Sequence, residues 1–386
     1  MGIRECAMQA TAFAQLMDIY CNRERDALSS RAAGKKVVAK LGFDVPDELI
    51  IAAGMFPLQV FADPEKQLRK TDTYLEFAFD PVVRKQFEKV VDGTYKKQAD
   101  FLAISNSTDV LIRVFLYLRE IVRINLEDLP PLIFLDWLFT RNRMHQDRNE
   151  QVVALFREQL EEWCGHMISD EDIMNAIHVC NQNRQALREM AALRRGSEVR
   201  ISGSEALVII GSAFFMDREK HTNLVRSITR AAAGWPVLKG PRIFVTGSSQ
   251  ESTELYDKIE DAGAVVVGED HDWGDRFYNR DCNPDYPVVR SIVDRYMLRL
   301  FSSKKAFVSQ RVEALSSEAI ATKAQAVIFY TNIYEDAASW DYPTQKAALE
   351  ATGIRTMAFS KMQYPVCSNI GLDAAIEQFI QELKEE

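Results

Sequence analysis

The sequence predicts an α/β protein of two doubly wound, parallel-sheet domains with a helical segment inserted between them. Three observations predict it. Short β-branched runs alternate with helical stretches in both halves of the chain, the grammar of parallel sheets. The stretch from 150 to 195 lacks strand signals and carries many charges at helical spacing. The length, 386 residues, exceeds what one core usually serves. The expected divisions are an N-terminal α/β domain over 1–149, a helical segment over 150–235 and a C-terminal doubly wound domain over 236–386. The second boundary falls at the turn-rich patch 234–240, rich in Gly, Trp, Pro and Lys.

Taken in order, residues 1–30 have helical spacing, and 37–43 form an apolar run read as a strand. A helix follows from Val45-Pro46-Asp47-Glu48, with Asp44 as its expected cap and two carboxylates in its first turn. Gly54 ends it. Residues 101–105 and 132–135 read as further strands, separated by an amphipathic helix over 110–124. Two helices are expected over 150–195 and an apolar helix over 204–215. In the C-terminal half the expected strands are 242–246, 265–268, 326–330 and 356–359. The expected helices there are 254–262, 288–300, 312–322 and 344–351. Ligands of such a sheet bind outside the carboxyl ends of its strands. Those ends carry Gly247-Ser248-Ser249, Glu269-Asp270-His271 and the stretch 331–336.

Composition narrows the partners. A formal net charge of -9 argues against nucleic acid, since phosphate neutralisation needs a basic face. No apolar run reaches the roughly 18 residues that span a bilayer, and the N-terminus does not resemble a signal peptide. A cytoplasmic protein with no membrane partner is therefore expected. Its six cysteines, none in a Cys-x-x-Cys, read as reduced thiols.

Few motifs carry chemistry on their own. Thr246-Gly247-Ser248-Ser249 lies between a strand and a helix, where free N–H groups hold a phosphate or carboxylate, or where a serine simply caps the helix. It matches neither a dinucleotide fingerprint nor a P-loop. Cys164 and His166, and His178 and Cys180, suggest zinc, but residues two apart on a helix diverge, so buried or half-buried helix positions are the better account. Asp270-His271-Asp272 offers acid–base chemistry or a polar loop, and Arg276 offers a bidentate grip on a carboxylate or phosphate.

Several stretches, in a common order, resemble the 2-hydroxyacyl-CoA dehydratase and benzoyl-CoA reductase subunit family. The most specific is Val45-Pro46-Asp47-Glu48-Leu49-Ile50 through Ala52-Ala53-Gly54 and Pro57. The others are Ser107-Thr108-Asp109, the run 242–248 with 259–267, Asp272-Trp273-Gly274-Asp275-Arg276-Phe277, and 326–329 through Trp340-Asp341-Tyr342-Pro343 and Gly353-Ile354-Arg355. The resemblance implies a heterodimer, each subunit holding an iron–sulfur cluster on cysteine thiolates, with an activator that supplies one electron to a CoA thioester. By analogy it also implies a role in anaerobic aromatic or amino-acid catabolism.

The cysteines are where this chain departs. Gly42, Thr108 and Glu335, the last followed by Asp336, stand where the family carries cysteines. Alcohols and carboxylates do not replace thiolates as cluster ligands. Cys282 is expected to approach the site but cannot hold a cluster alone. The expectation is thus a chain without a metal or cofactor of its own, any iron–sulfur cluster residing on a partner. As a lyase subunit acting on an acyl-CoA, it would use Glu335, Asp336, Thr108 and Asp109 for catalysis. Gly247, Ser248, Ser249 and Arg276 would hold the CoA thioester. A paralogous subunit would complete a heterodimer or higher oligomer. The alternatives are a non-catalytic structural or regulatory partner in the same complex, and a plain small-molecule binder on a flavodoxin-like fold.

Overall fold

The computed structural model describes residues 3–299 and 306–385. Two four-stranded sheets, parallel throughout, form its frame. The first has the order β2-β1-β3-β4, with β1 Val37–Leu41, β2 Phe56–Gln59, β3 Phe101–Ser105 and β4 Leu132–Leu135. The second has the order β6-β5-β7-β8, with β5 Arg242–Gly247, β6 Val265–Asp270, β7 Ala326–Asn332 and β8 Arg355–Met362. In both, the chain starts at an inner strand and reverses direction, which leaves a crevice at the strand ends.

The two sheets share one apolar core. A single cluster runs from Phe13 and Leu16 through Leu41, Leu102 and Ile104 to Phe214, Ile243, Tyr256 and Ile328. Helix Gly203–Ser212 is buried at every position and lies at its centre. The opposite face of the first sheet packs on helices Asp47–Ala52, Arg143–Cys164, Asp170–Arg195 and Val288–Leu298 through Val38, Ala103, Phe156, Ile177 and Ile292. A smaller cluster around Phe244, Leu315 and Leu349 covers the outer face of the second sheet.

The inserted stretch contains the two expected helices, Arg143–Cys164 and Asp170–Arg195, the second opened by a reciprocal Ser169–Asp172 capping box. Strand Phe56–Gln59 and helices Pro81–Val91, Arg218–Ala232 and Leu372–Glu385 were not anticipated from the sequence. The strand has four residues and contains Pro57, which lowers its signal; as an edge strand it tolerates the proline. Helix Asp336–Glu350 begins eight residues before the expected 344, because Pro343 sits inside it. Leu300, the expected end of helix 288–300, lies outside the described residues; Val288–Leu298 is helical.

Asp44 does not cap the following helix. Its side chain is buried and pairs with Arg299 at 2.9 Å. Asp47 and Glu48 do lie in the first turn of that helix, but both are buried. Asp47 is buried between Lys40 and Arg218, and Glu48 accepts from Arg184 at 2.7 and 2.9 Å. The carboxylates of the Val-Pro-Asp-Glu run thus fasten one short helix to the neighbouring strand β1 and to the distant helices Asp170–Arg195 and Arg218–Ala232. No described helix is long and apolar enough to cross a membrane.

Candidate functional site

The carboxyl ends of both sheets face a common cleft, divided into two adjoining pockets. One, of about 100 Å³, lies over the first sheet and is lined by Gly42, Phe43, Gln59, Asp80, Thr108 and Glu335, among others. The other, of about 80 Å³, lies over the second sheet and is lined by Thr108, Gly247, Ser248, Ser249, Arg276 and Glu335, among others. Gly42, Thr108 and Glu335, far apart in sequence, therefore line one pocket. Thr108 and Glu335 border both pockets.

Each of these residues has a local reason for its position. Gly42 follows β1 at φ +96°, and a Cβ there would lie 2.4 Å from Ser105 Oγ and 2.9 Å from Ser107 Oγ. Those two hydroxyls lie 2.8 Å apart, and Ser107 Oγ accepts the Phe43 N–H at 2.9 Å and the Asp44 N–H at 3.2 Å. The space a side chain at 42 would need is filled by hydroxyl oxygens that hold the β1 loop. Gly42→Ala should therefore destabilise the fold by about 1–3 kcal/mol through strained backbone and overlap, read as a lower urea midpoint; an unchanged midpoint would contradict this geometry.

Thr108 is the N-cap of helix Asp109–Arg123, its Oγ1 accepting from Leu111 N at 3.4 Å, and it is half-buried. Glu335 is half-buried at the N-cap of helix Asp336–Glu350. Asp109 and Asp336 are exposed and border neither pocket, so the structure does not bring them to the cleft with their neighbours.

The Gly247-Ser248-Ser249 turn does border the cleft, but not as a helix N-terminus. The next helix starts at Glu254. Ser248 N donates to Tyr330 O at 2.8 Å, while Ser248 Oγ accepts from Asn332 N at 3.0 Å, so neither serine is a cap. Gly247 is required here: at φ +114° its missing Cβ would fall 2.2 Å from Tyr330 O. Arg276 reaches the cleft, but its Nε is held by Asp270 at 2.6 Å and Asp272 lies 3.8 Å away. Arg311 is likewise gripped by Asp341, as a two-pronged pair.

His271 departs from its acid–base expectation. It is fully buried, with Nε2 at 2.8 Å from Tyr256 Oη, and burial lowers its pKa to about 3. A neutral, fully enclosed imidazole that borders neither pocket is a structural group. The zinc-like pairs also fail to converge: His166 and His178 are exposed while Cys180 is buried, and among the described residues no three His, Cys, Asp or Glu side chains gather as a metal site. Cys282 is buried against Glu48 (3.5 Å) and Arg184 (3.8 Å) and borders neither pocket.

Two buried carboxyls of the cleft escaped the sequence reading. Asp80 caps helix Pro81–Val91 through Val82 N and Val83 N and faces Asn332 Nδ2 at 3.5 Å; burial raises its pKa. The Asp-Pro pair is a helix-start signal that could have revealed it. Glu251 is buried in the pocket wall, where burial pushes its carboxyl up to about 7. No local signal marks it, because its partners lie 165 and 189 residues away.

Known proteins are similar to this chain over much of its length. The family model for the 2-hydroxyglutaryl-CoA dehydratase, D-component, matches residues 43–383. The chain is 26% identical to the (R)-phenyllactyl-CoA dehydratase beta subunit of Clostridium sporogenes, over 83% of this chain and 85% of that one. It is 25% identical to the beta subunit of (R)-2-hydroxyglutaryl-CoA dehydratase from Acidaminococcus fermentans, over 83% and 86%. It is 23% identical to one of the benzoyl-CoA reductase subunits of Thauera aromatica, over 61% of each. With both parallel sheets in place and the family model matched across nearly its whole length, the chain belongs to the 2-hydroxyglutaryl-CoA dehydratase D-component family.

Proposed function

We propose that this chain is a cluster-free subunit of a complex that processes an acyl-CoA thioester, acting together with a paralogous subunit. The observation that carries the proposal is the convergence of Gly42, Thr108 and Glu335 on one pocket. Those are the positions at which the resemblance implies thiolates, and the pocket they border offers hydroxyl, amide and carboxyl oxygens instead. The donor set does not fit an iron–sulfur cluster: among the described residues no cysteine borders either pocket, and a side chain at 42 has no room. Any cluster of the complex then belongs to the partner.

In this reading Glu335 is the acid–base group. Its carboxylate takes a proton from the carbon skeleton of the acyl group and delivers one to the departing hydroxyl, which leaves as water, or runs the reverse hydration. Thr108 offers a hydroxyl to the thioester across the cleft, and the Gly247–Ser249 turn lets the backbone approach it. The relatives named as dehydratase and reductase subunits support the substrate class and the need for a partner. Isolated without oxygen, this polypeptide should contain iron and acid-labile sulfide far below stoichiometric amounts, and its complex should convert an acyl-CoA. Stoichiometric iron and sulfide on this chain would overturn the cluster-free assignment.

One observation favours a second reading, a non-catalytic partner. The guanidiniums of Arg276 and Arg311 are already neutralised by Asp270 and Asp341, so the second-sheet pocket presents no surplus of positive charge to CoA phosphates. In that case a complex carrying Glu335→Gln in this chain should retain full turnover.

A further inference from the structure

Glu251 sits on a partition. It lines the narrow pocket that holds Gly42, Thr108 and Glu335, and it also lines a separate, wider cavity of about 780 Å³. That cavity is walled by Tyr20, Arg23, Phe61, Lys89 and Tyr364, and it lies at the ends of β2, β5 and β8. Glu251 follows β5, in the second sheet's half, yet the polar partners described for it all come from the first half. Its Oε2 is 2.7 Å from the Ala62 N–H and its Oε1 is 2.9 Å from Gln86 Nε2. Its main-chain oxygen accepts from Tyr20 Oη at 2.7 Å and from Arg23 at 2.5 Å. Four hydrogen bonds from one residue thus tie the β5 loop to the β2 loop, to helix Pro81–Val91 and to the end of helix Thr11–Cys21.

We infer that Glu251 is a positioning residue, a proton-linked clasp that holds the two sheet ends together at the width the cleft requires. The conformational part stands on these contacts alone; its catalytic consequence rests on the acyl-CoA reading, since Thr108 and Glu335 come from opposite sides of the cleft.

The direction follows from what the clasp contains when shut. Burial, the largest influence, disfavours the charged form; Arg23, 4.0 Å from Oε2, Lys89 and the two side-chain hydrogen bonds oppose it without overcoming it. The other titratable groups around it are Cys21, Glu24, Arg25, Asp63 and Glu254 on the wide side and Asp80, Asp272 and Glu335 on the narrow side, with the phenols of Tyr20, Tyr95 and Tyr364. Lys89 is drawn away to Glu24 at 3.3 Å and stacks over Phe61. A protonated carboxyl satisfies both side-chain bonds: its carbonyl oxygen accepts from Ala62 N–H, and its O–H donates to Gln86 once that amide is turned. The ionised form is better accommodated by water, in an open clasp. A group whose proton affinity is higher shut than open closes on protonation, so the clasp tightens as pH falls through 7 and loosens as pH rises.

The Ala62 N–H, bonded to Glu251, reports the state directly. Hydrogen exchange followed by mass spectrometry on peptides covering 60–64 and 84–90 tests it, after correction for the intrinsic pH dependence of exchange. Protection of the wild-type chain should fall by roughly tenfold between pH 6 and pH 8, the factor expected for a carboxyl shifted from 4.5 to about 7. Glu251→Gln reproduces the protonated form and should keep high protection at both values. Gln86→Ala removes one bond and should lower protection at both while keeping the pH response, so it decides the matter even where Glu251→Gln folds poorly. Equal wild-type protection at pH 6 and 8 overturns the inference, and so does a pH response retained in Glu251→Gln or Ala62 protection unchanged in Gln86→Ala. In the complex, the limb of the pH–kcat profile near 7 should disappear in Glu251→Gln. A complex inactive on every acyl-CoA sinks the functional reading but leaves the exchange result to judge the clasp.

Discussion

Glu335→Gln in the assembled complex should lower kcat for an acyl-CoA by roughly 10²–10⁴, with a much smaller change in KM, the share usually carried by a general acid–base group. The expectation follows from placement. Glu335 borders both pockets of the cleft, beyond the end of β7 and opposite Thr108. Asp272 borders both as well and pairs with Arg299 at 3.1 Å. Glutamine keeps the size of Glu335 and its hydrogen-bonding oxygen but cannot take up a proton, so a loss confined to kcat separates proton transfer from packing. Asp336→Asn supplies the control: it is adjacent in sequence but exposed and outside both pockets, and it should leave kcat within about twofold. Full turnover with Glu335→Gln would remove the catalytic role and favour the non-catalytic partner.

Glu48→Ala should cost about 3–5 kcal/mol of unfolding free energy, the range for removing one partner of a buried ion pair. Glu48 has no exposed surface. It accepts from Arg184 at 2.7 and 2.9 Å and from Tyr296 Oη at 3.0 Å, with Arg295 at 3.9 Å and the Cys282 thiol at 3.5 Å. Alanine would remove the carboxylate nearest to two buried guanidiniums, leaving Arg184 with the partly exposed Asp281 at 3.5 Å and the neutral amide oxygen of Asn181 at 2.9 Å. Burial pushes the Glu48 carboxyl up, but Arg184 and Arg295 outweigh it and its net pKa lies below the ordinary 4.5. With the folded value depressed, its contribution is fully present above pH 4.5 and is lost as pH falls through the folded value. Chemical denaturation at pH 7 and at pH 3 should therefore show a gap between wild type and Glu48→Ala that shrinks in acid. A gap below about 1 kcal/mol at pH 7 would mean that the pair is dispensable.

This buried network gives the Val45-Pro46-Asp47-Glu48 run a physical meaning that its spacing concealed. Two acidic residues at a helix start fit the helix dipole, and that local rule places them in the first turn without saying what surrounds them. The tertiary fold turns both into the interior, because Arg184 and Arg218 arrive there from helices more than a hundred residues later. His271 shows the same limit in reverse. A histidine between two aspartates after a strand suggests acid–base chemistry, but its ring packs under Tyr256 and remains neutral.

By itself the sequence determined the α/β class, seven of the eight strands and the two central helices, because period and β-branched runs are local properties that burial then uses. It also named Gly42, Thr108 and Glu335 as neighbours through family resemblance, and the fold places them around one pocket. Only the tertiary structure decided that Asp109 and Asp336 face solvent, that Arg276 is held by Asp270, and that Glu251 joins the two halves. The physical reason is distance along the chain. A side chain's charge, partner and exposure depend on groups brought alongside it by sheet order and domain packing, and a one-dimensional pattern contains no measure of that approach.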